Sequence, residues 1–482
     1  MREKPAKFEQ LADQMQKQLQ AGIWQPGEKL PSLREKAAHS GLSLMTVLHA
    51  YQLLESQGWI MSRPQSGYYA APRIASAAML PAGGDAVQLT EQVDVNDFIF
   101  DVLRASRSPA VVPFGSAFPD PRLFPQRQLT RSLAQVARRM QPESAVDSLP
   151  PGNEQLRKQI AQRYALQGIA VSPDEIVITS GALESLNLCL QWLTRPGDYV
   201  VIESPAFYGA LQAIERLQLK AITIAADPHT GIDLAALEQA LQQYPIRACW
   251  LMTNFHNPLG YTLSWQKKQQ LAALLRTYQV ALIEDDVYGE LYSGTHRPLP
   301  VKALDSDGRV LHCASFSKSL VAGFRVGWVA AGQWAEGIQR LQLMSTLSTS
   351  APMQLAIADY LATSSYDSHL RRLRRTLEQR KYRLYQAMKA HFPPEVEIYY
   401  ADGGYFLWLG LPQGGDSMAL YQQALAQGIS LAPGRMFTTD DRCDRYFRIN
   451  TSFEWQRKTE QAVIVLAELL RHAVTQARSR PG

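Results

Sequence analysis

Apolar residues recur near the start of the chain at the 3.6-residue interval of a helix face. Phe8, Leu11, Ala12, Met15 and Leu19 mark one amphipathic helix. The Pro-Gly turn in "WQPGEKL" (24–30) interrupts it. Pro31 and Ser32 then open a second helix near Leu33–Ser40, which Gly41 ends. Ser43 caps a third helix that turns Val47, Ala50, Tyr51 and Leu54 inward. In "GWIMSRPQSGYYA" (58–70) the pattern becomes that of two short strands around a turn. Further on, apolar runs alternate with helical stretches: "EIVIT" (175–179), "YVVIE" (199–203), "KAITIA" (220–225), "ACWLMT" (248–253), "VALIED" (280–285), "VLHCASF" (310–316) and "VGWVAA" (326–331). Runs that are apolar on both faces and separated by helices predict a mostly parallel sheet covered on both sides. The last pair alone is close enough in sequence to form a hairpin. Beyond residue 365 an Arg-rich helix (about 369–391) leads to "EVEIYY", "YFLWLGL" and "YFRINTSF" and to a final helix.

Three helices followed by a two-stranded wing are the layout of a winged helix-turn-helix. The later alternation predicts an α/β domain with a seven-stranded sheet and a smaller α+β subdomain. Between them "APRIASAAMLPAGGDAVQ" (71–88) has the Ala, Pro and Gly content of a linker. The expected division is a DNA-binding domain at 1–71, a linker at 72–93 and an α/β domain at 94–482. In the last, the large part runs from about 165 to 365. The small part covers about 366–482 together with the N-terminal segment.

Length and composition agree with this division. A chain of 482 residues exceeds one simple core, so two or three domains are expected. A net charge of +5 is mild over this length and permits a nucleic-acid partner without requiring one. Four cysteines (189, 249, 313 and 443) lack metal-ligand spacing, so no metal is expected and the thiols read as free and buried, as in a reducing compartment. The charged start "MREKPAKFEQLADQM" has no apolar signal core, and no run approaches the roughly 18 apolar residues of a membrane span. The expectation is a cytoplasmic protein with no membrane partner.

Ligands bind at the strand ends of such sheets, so the residues that follow each strand carry the chemistry. The first strand runs into "SGALESLNL" (180–188), a glycine turn opening a helix whose free N–H groups can hold a phosphate. The second is followed by "SPAFYG", with Phe207 and Tyr208. The fourth is followed by "NFHNPLG", with Asn254, Asn257 and Pro258. The fifth ends in "EDDVYGEL", with Asp285 and Tyr288, and the sixth in "SFSKSLVAGFR", with Lys318 and Arg325. Taken singly, each has a plainer reading: a helix-opening turn, an Asn-Pro turn, an aspartate cap, a chance Ser-x-x-Lys. Ser-x-x-Lys also occurs in serine acyl enzymes, but those need Ser-Asp-Asn and Lys-Thr-Gly elements. The sequence has no Ser-Asp-Asn, and its only Lys-Thr pair continues into Glu460. Pyridoxal phosphate is the group that uses the whole set. It requires a lysine for a Schiff base, a carboxylate against the ring nitrogen, donors to the 3′-oxygen, an aromatic face and a cationic phosphate pocket.

Over roughly residues 94–482 the chain resembles the fold-type I aminotransferases. The resemblance implies that Lys318 binds the cofactor covalently and that Asp285 pairs with the ring nitrogen. It implies that Tyr288 and Asn257 contact the 3′-oxygen and that Phe207 stacks on the ring. Ala182, Leu183, Ser315, Ser317 and Arg325 would hold the phosphate. The seven-residue step from Lys318 to Arg325 matches the family's "SxSK…GxRxGW". Arg448, in "YFRINTSF", falls where the family holds a substrate α-carboxylate, a contact suited to the bidentate guanidinium. One departure is plain. Many relatives carry a tyrosine five residues before the glycine of "DSLPPGNEQLRKQIAQRY" (147–164), and this chain has Asp147.

"LPSLREKAAHSGLSLMTVLHAYQLLESQGWI" resembles the GntR family of bacterial regulators. Residues 1–73 carry nine basic and six acidic side chains, a modest excess for DNA contact. The resemblance places Ser32 and Arg34 near the DNA backbone, and Ser43, Thr46 and His49 on the recognition helix. Arg63, Gln65 and Gly67 would lie at the wing turn. Leu44 stands where relatives often have arginine; it can meet a thymine methyl but makes no charge-assisted phosphate bond. The plainer alternative is a small helical dimerisation module. The two resemblances together form the MocR architecture. They imply a homodimeric, pyridoxal-phosphate-dependent transcriptional regulator that binds double-stranded operator DNA and senses the cofactor or an amino compound. The alternative is a working aminotransferase with an accessory DNA-binding module.

Overall fold

The computed structural model describes residues 7–20, 23–24, 27–56, 59–63, 66–71, 87–90, 98–105 and 108–479. The chain forms two compact units, Met1–Ala78 and Met79–Gly482.

In the first unit, helices α1 (Lys7–Gln20), α2 (Leu33–Ser40) and α3 (Leu44–Ser56) precede an antiparallel pair, β1 (Ile60–Arg63) and β2 (Gly67–Ala70). Local chemistry sets the helix ends. Ser32 Oγ accepts from the Glu35 N–H while Glu35 accepts from the Ser32 N–H at 2.8 Å, a reciprocal cap. Gly41 stops α2 at φ +64°, a left-handed value that glycine adopts without strain. Ser43 Oγ accepts from the Thr46 N–H at 3.2 Å and starts α3. The inward residues are those the spacing predicts: Leu11, Met15, Val47, Ala50, Tyr51 and Leu54 form one core with Trp59 and Ile60. Burying each larger aliphatic side chain contributes about 1.5–3 kcal/mol. Tyr51 keeps its hydroxyl satisfied by donating to the Pro31 carbonyl at 2.9 Å.

The second unit is built on a large sheet. Its strands are β3 (Val87–Thr90), β4 (Ile176–Thr179), β5 (Tyr199–Ser204), β6 (Lys220–Asp227), β7 (Gly231–Ile232), β8 (Ile246–Leu251), β9 (Ala281–Asp285), β10 (Val310–Ser315) and β11 (Gly327–Ala330). They lie in the order β3-β6-β5-β8-β9-β10-β11-β4, with β7 beside β6. Pairings from β6 through β10 are parallel, and β11 runs antiparallel to both β10 and β4. Every strand seen in the sequence is present, but the sheet has nine strands rather than seven. The two additions are short pieces paired antiparallel to β6. Four residues of "VQLT" inside the expected linker, and two at Gly231, are too few to show a period. The β6 edge supplies the partner that their own sequence does not announce.

Within β4, Ile176 and Ile178 join one hydrophobic cluster while Val177 joins the other, the alternation of a strand covered on both faces. Helix α4 (Ala182–Leu193) lies against β9, β10 and β11. The smaller subdomain carries the antiparallel order β12 (Glu397–Tyr399), β13 (Phe406–Gly410), β15 (Tyr446–Asn450), β14 (Ala432–Pro433). Helices α5 (Tyr366–His391) and α6 (Arg457–Ser479) pack together beside it. Residues 112–120 run alongside this subdomain, with Val112 bonded to Gly428 and Ser430, and Phe114 to Asn450. All four cysteines are free and buried. Among the described residues no helix is long and apolar enough to cross a membrane.

Candidate cofactor site and candidate DNA interface

Parallel pairing brings the C-terminal ends of β5, β8, β9 and β10 to one side of the sheet. Because β11 runs against both of its neighbours, β4 ends there too. Five loops therefore open on one place, and they carry the residues the sequence singled out for it except Arg448, which lies on β15.

Gly181 caps α4 at φ +99°. Arg325 folds against it, its guanidinium directed to the Ser317 hydroxyl at 3.2 Å and the Ser180 carbonyl at 3.4 Å. A β-carbon on Gly181 would lie 2.4 Å from Arg325 Nη2, and one on Gly327 would lie 2.6 Å from the Ala182 nitrogen. The two glycines thus let the strand-to-helix turn, the arginine and the β11 hairpin close into a cup. Ala182 and Leu183 stand in the first turn of α4, where N–H groups have no intrahelical acceptor. Leu183 is 44% exposed, so its N–H rather than its side chain is what the cup can use. Ser315 and Ser317 are buried, and Ser315 Oγ accepts from the Ser317 N–H at 3.3 Å. A cup of backbone N–H groups, one hydroxyl and a guanidinium suits a phosphate dianion.

Lys318 is partly buried and reaches the other way. Its Nζ donates to the Ala117 carbonyl at 2.9 Å and lies 4.1 Å from the Phe118 ring centroid. Burial, then the neighbouring charges of Arg448 and Arg325, pull its pKa down to about 7 against the opposing influence of Asp285. Asp285 is itself pushed up to about 7, chiefly by burial. Hydrogen bonding to the carboxyl from the Val287 N–H and the Trp250 side chain opposes that rise, but Oδ1 is fully enclosed with no partner at hydrogen-bond distance among the described residues. A buried carboxylate oxygen without a donor is costly, and a protonated pyridine nitrogen is the donor such a position lacks. The donor set and this orphaned oxygen fit pyridoxal phosphate.

Tyr288 is buried, with its ring edge-on to Tyr405 at 5.7 Å and Lys318 Nζ 6.0 Å from its centroid. Asn257 lies in the Asn254–Pro258 loop, and its Oδ1 accepts from Arg448 Nη1 at 2.5 Å. Arg448 is fully enclosed, 4.2 Å from Phe406 and 5.1 Å from Phe437. Phe207 caps the helix Tyr208–Arg216, packs against both hydrophobic clusters and lies 4.7 Å from the Tyr208 ring. Asp147, where relatives carry tyrosine, is exposed.

The structure adds residues the sequence does not disclose. Tyr405 donates to the same Ala117 carbonyl as Lys318, at 2.9 Å. In the sequence it is one aromatic among several in "GGYFLWLGL". Asp286, one residue past Asp285, points to the opposite side. It accepts from Asn254, Arg297 and His312, and His312 bonds Tyr164 at 2.6 Å. This buried network anchors the loop that carries Asn257. The doubled aspartate of "EDD" is a signal, though one with no address.

The lysine's lowered pKa carries a pH dependence. The neutral amine is the nucleophile. Cofactor uptake by cofactor-free protein is therefore expected to rise between about pH 6 and 8 and level off above, as stopped-flow absorbance would record. A rate independent of pH in that window would contradict the burial argument.

In the first unit Ser32, Arg34, Ser43 and His49 are exposed or half-buried, and Thr46 presents its hydroxyl beside Ser43. The hydroxyls have local duties: Ser32 and Ser43 cap helices, and Ser43 Oγ lies 2.8 Å from Thr46 Oγ1. Leu44 and Met45 add an exposed apolar pair, at 47% and 57%. Arg63 ends β1 opposite Gly67, which takes φ +103° at the wing turn. The Arg63 side chain and Gln65 lie outside the described residues.

Comparisons with known proteins agree with both halves. The family of bacterial regulatory proteins, gntR family, matches residues 7–69, and aminotransferase class I and II matches residues 122–463. The HTH-type transcriptional regulator YdcR of Escherichia coli is 61% identical over 96% of this chain and 99% of its own length. A second Escherichia coli regulator, YjiR, is 34% identical over 97% and 99%. Among solved structures, a multiple substrate aminotransferase from Thermococcus profundus superposes with a TM-score of 0.74 at 24% identity, covering 80% of this chain and 97% of that one. The α-aminoadipate aminotransferase LysN of Thermus thermophilus gives 0.72 at 26%, covering 79% and 96%. The chain therefore belongs to the HTH-type transcriptional regulators that join a GntR-family DNA-binding domain to a class I and II aminotransferase domain, the MocR architecture.

Proposed function

We propose that the aminotransferase-like domain binds pyridoxal phosphate and reports on it, or on an amino compound, to the DNA-binding domain of the same chain. The observation that carries this reading is the buried, donorless Asp285 Oδ1 at the strand ends that also present Lys318 and the Arg325 cup. The LysN structure, which holds N-(5'-phosphopyridoxyl)-L-leucine, supports the choice of cofactor. When bound, pyridoxal phosphate supplies a carbonyl that joins amines reversibly and a ring that draws in electrons.

The chain's own residues have separable tasks. Lys318, with its pKa near 7, offers an unprotonated amine at neutral pH. Asp285 would hold a proton on the ring nitrogen. Tyr288 and Asn257 would contact the 3′-oxygen, and Phe207 would stack on the ring. Arg325, Ser315, Ser317 and the Ala182 and Leu183 N–H groups would hold the phosphate. Arg448 takes an α-carboxylate, its fork fixed by Asn257. Residues 1–71 bind DNA, 72–93 connect and 94–482 sense; two chains pair, and the operator carries two half-sites.

The test uses full-length, cofactor-loaded protein and the DNA upstream of its own gene. Binding is expected to weaken several-fold in Arg34→Ala, with the slope of log K against log salt shallower by about 1. Equal binding by variant and wild type removes Arg34 from the interface; no retardation of any upstream fragment removes the regulator reading. The second reading, a working aminotransferase, is favoured by the presence of Lys318, Asp285 and Arg448 together. A high kcat/KM on a common amino acid would establish it.

A further inference from the structure

Helix α3 holds neither lysine nor arginine. Its sequence, LMTVLHAYQLLES, contains one histidine, His49, and one acid, Glu55, near the far end. Glu55 is engaged there, accepting from the Ser62 N–H at 2.9 Å. Val47, Ala50, Tyr51 and Leu54 bury one face of the helix in the core of the first unit. The opposite face opens with Leu44 and Met45, 47% and 57% exposed, and continues one turn on with Leu48, which is half-buried. The flanking hydroxyls are turned to each other: Ser43 Oγ lies 2.8 Å from Thr46 Oγ1 and accepts the Thr46 N–H. Single exposed apolar side chains are ordinary on a protein surface. Two in succession, with a third a turn later, form an apolar edge that the core does not use.

The major groove offers a different pattern at each base pair. Guanine is read by paired donors from arginine or lysine, and α3 supplies neither. Adenine is read by asparagine or glutamine, and the helix has only Gln52, more than two turns past Leu44. Thymine alone among the four bases places a methyl group in the groove. Covering that methyl with Leu44 or Met45 removes apolar surface from water on both partners. Cations lie on the neighbouring helix instead. Arg34 is exposed and Lys36 half-buried on α2, where phosphate contacts would fix the register without reading sequence. The first turn of α3 has no acid to repel the backbone. Charge and base recognition are thus divided between two helices.

We propose that Leu44 and Met45 read thymine methyl groups in the major groove, so that thymine rather than guanine specifies each operator half-site beneath the first turn of α3. This rests on the reading of residues 1–71 as the DNA-binding domain. It goes further in naming the base, the chemical group recognised and the two side chains that recognise it. A methyl contact displaces no counterion, so it adds affinity without steepening the salt dependence. That separates it from the contribution of Arg34.

Selection from a random duplex library with full-length, cofactor-loaded protein supplies the probe. The enriched duplex is then remade with deoxyuridine for thymidine, one position at a time, which keeps the base pair and removes only the methyl. Wild-type protein is expected to bind about fourfold more weakly for each contacted methyl removed. The loss is expected at a few positions of each half-site and nowhere else, with the salt slope unchanged. Cytosine at such a position is expected to bind worst, and 5-methylcytosine to recover part of the loss. Leu44→Ala and Met45→Ala change exposed side chains, and each is expected to become indifferent to uracil at the position it reads. Leu44→Arg is expected to enrich guanine there. Affinity unchanged by uracil at every position overturns the proposal with no variant needed. An equal uracil penalty in both alanine variants gives the methyl contact to other residues and overturns the assignment. Equal loss by the variants on thymine and uracil duplexes alike makes the pair a protein-docking edge and overturns it too. No enrichment of any duplex overturns the DNA-binding reading itself, an outcome distinct from enrichment without a uracil penalty.

Discussion

Lys318→Ala is expected to yield a folded protein that retains no visible cofactor absorbance after dialysis. The other residues of the site would still attract the free cofactor, since the Arg325 cup and the Asp285 carboxyl are unchanged. What disappears is the covalent tie, and with it the slow release that survives dialysis. Folding is not expected to suffer. Lys318 sits near two arginines, Arg448 and Arg325, whose charges already disfavour its ammonium form. Removing a partly buried cation from that company relieves repulsion, so thermal unfolding is expected at an equal or slightly higher temperature. Retained absorbance in a dialysed variant would remove Lys318 from its assigned role. A collapsed melting temperature would mean that its tie to the Ala117 carbonyl is structural.

Gly181→Val is expected to weaken cofactor binding by about 100-fold or more while leaving the protein folded. Two independent features make the position intolerant. Its φ of +99° lies where side chains are strained, at a cost of about 1–3 kcal/mol. Its β-carbon would also fall 2.4 Å from Arg325 Nη2. Arg325 would have to swing out of the cup, taking its charge-assisted bonds to phosphate with it at about 1.5–3 kcal/mol each. Because the arginine is the flexible partner, the sheet behind it need not move. Cofactor titration followed by absorbance measures the effect, and circular dichroism checks the fold. Unchanged affinity would show that the phosphate is held elsewhere. Both variants bear on one end or the other of "SFSKSLVAGFR", and they separate covalent attachment from phosphate recognition.

Much of the site is legible in the sequence. Lys318, Asn257, Phe207 and the Gly181 turn each follow a strand and Asp285 ends one, and strand ends can be read from apolar runs. The residues that are not legible there share a different trait. Tyr405 sits beside an apolar strand that reads as core, and Ala117 acts through its backbone carbonyl, which every residue carries. Asp286 and His312 are polar groups inside otherwise apolar runs. Their meaning depends on Tyr164, Asn254 and Arg297, each distant in sequence. Strands β3 and β7 are hidden for the same reason, since a short edge strand is defined by its partner.

By itself the sequence determined the two-part organisation, the helix ends set by Ser32, Gly41 and Ser43, and the seven main strands with the order of chemical groups at their ends. These rest on interactions within a few residues: caps, turns and side-chain periodicity. Only the tertiary structure decided that Arg448 is enclosed and bonded to Asn257 and Gly115, that one oxygen of Asp285 is left without a close donor, and that the Ala117 carbonyl meets both Lys318 and Tyr405. Those facts join residues far apart along the chain. Burial and long-range hydrogen bonding arise when the chain closes on itself, and no local pattern records them.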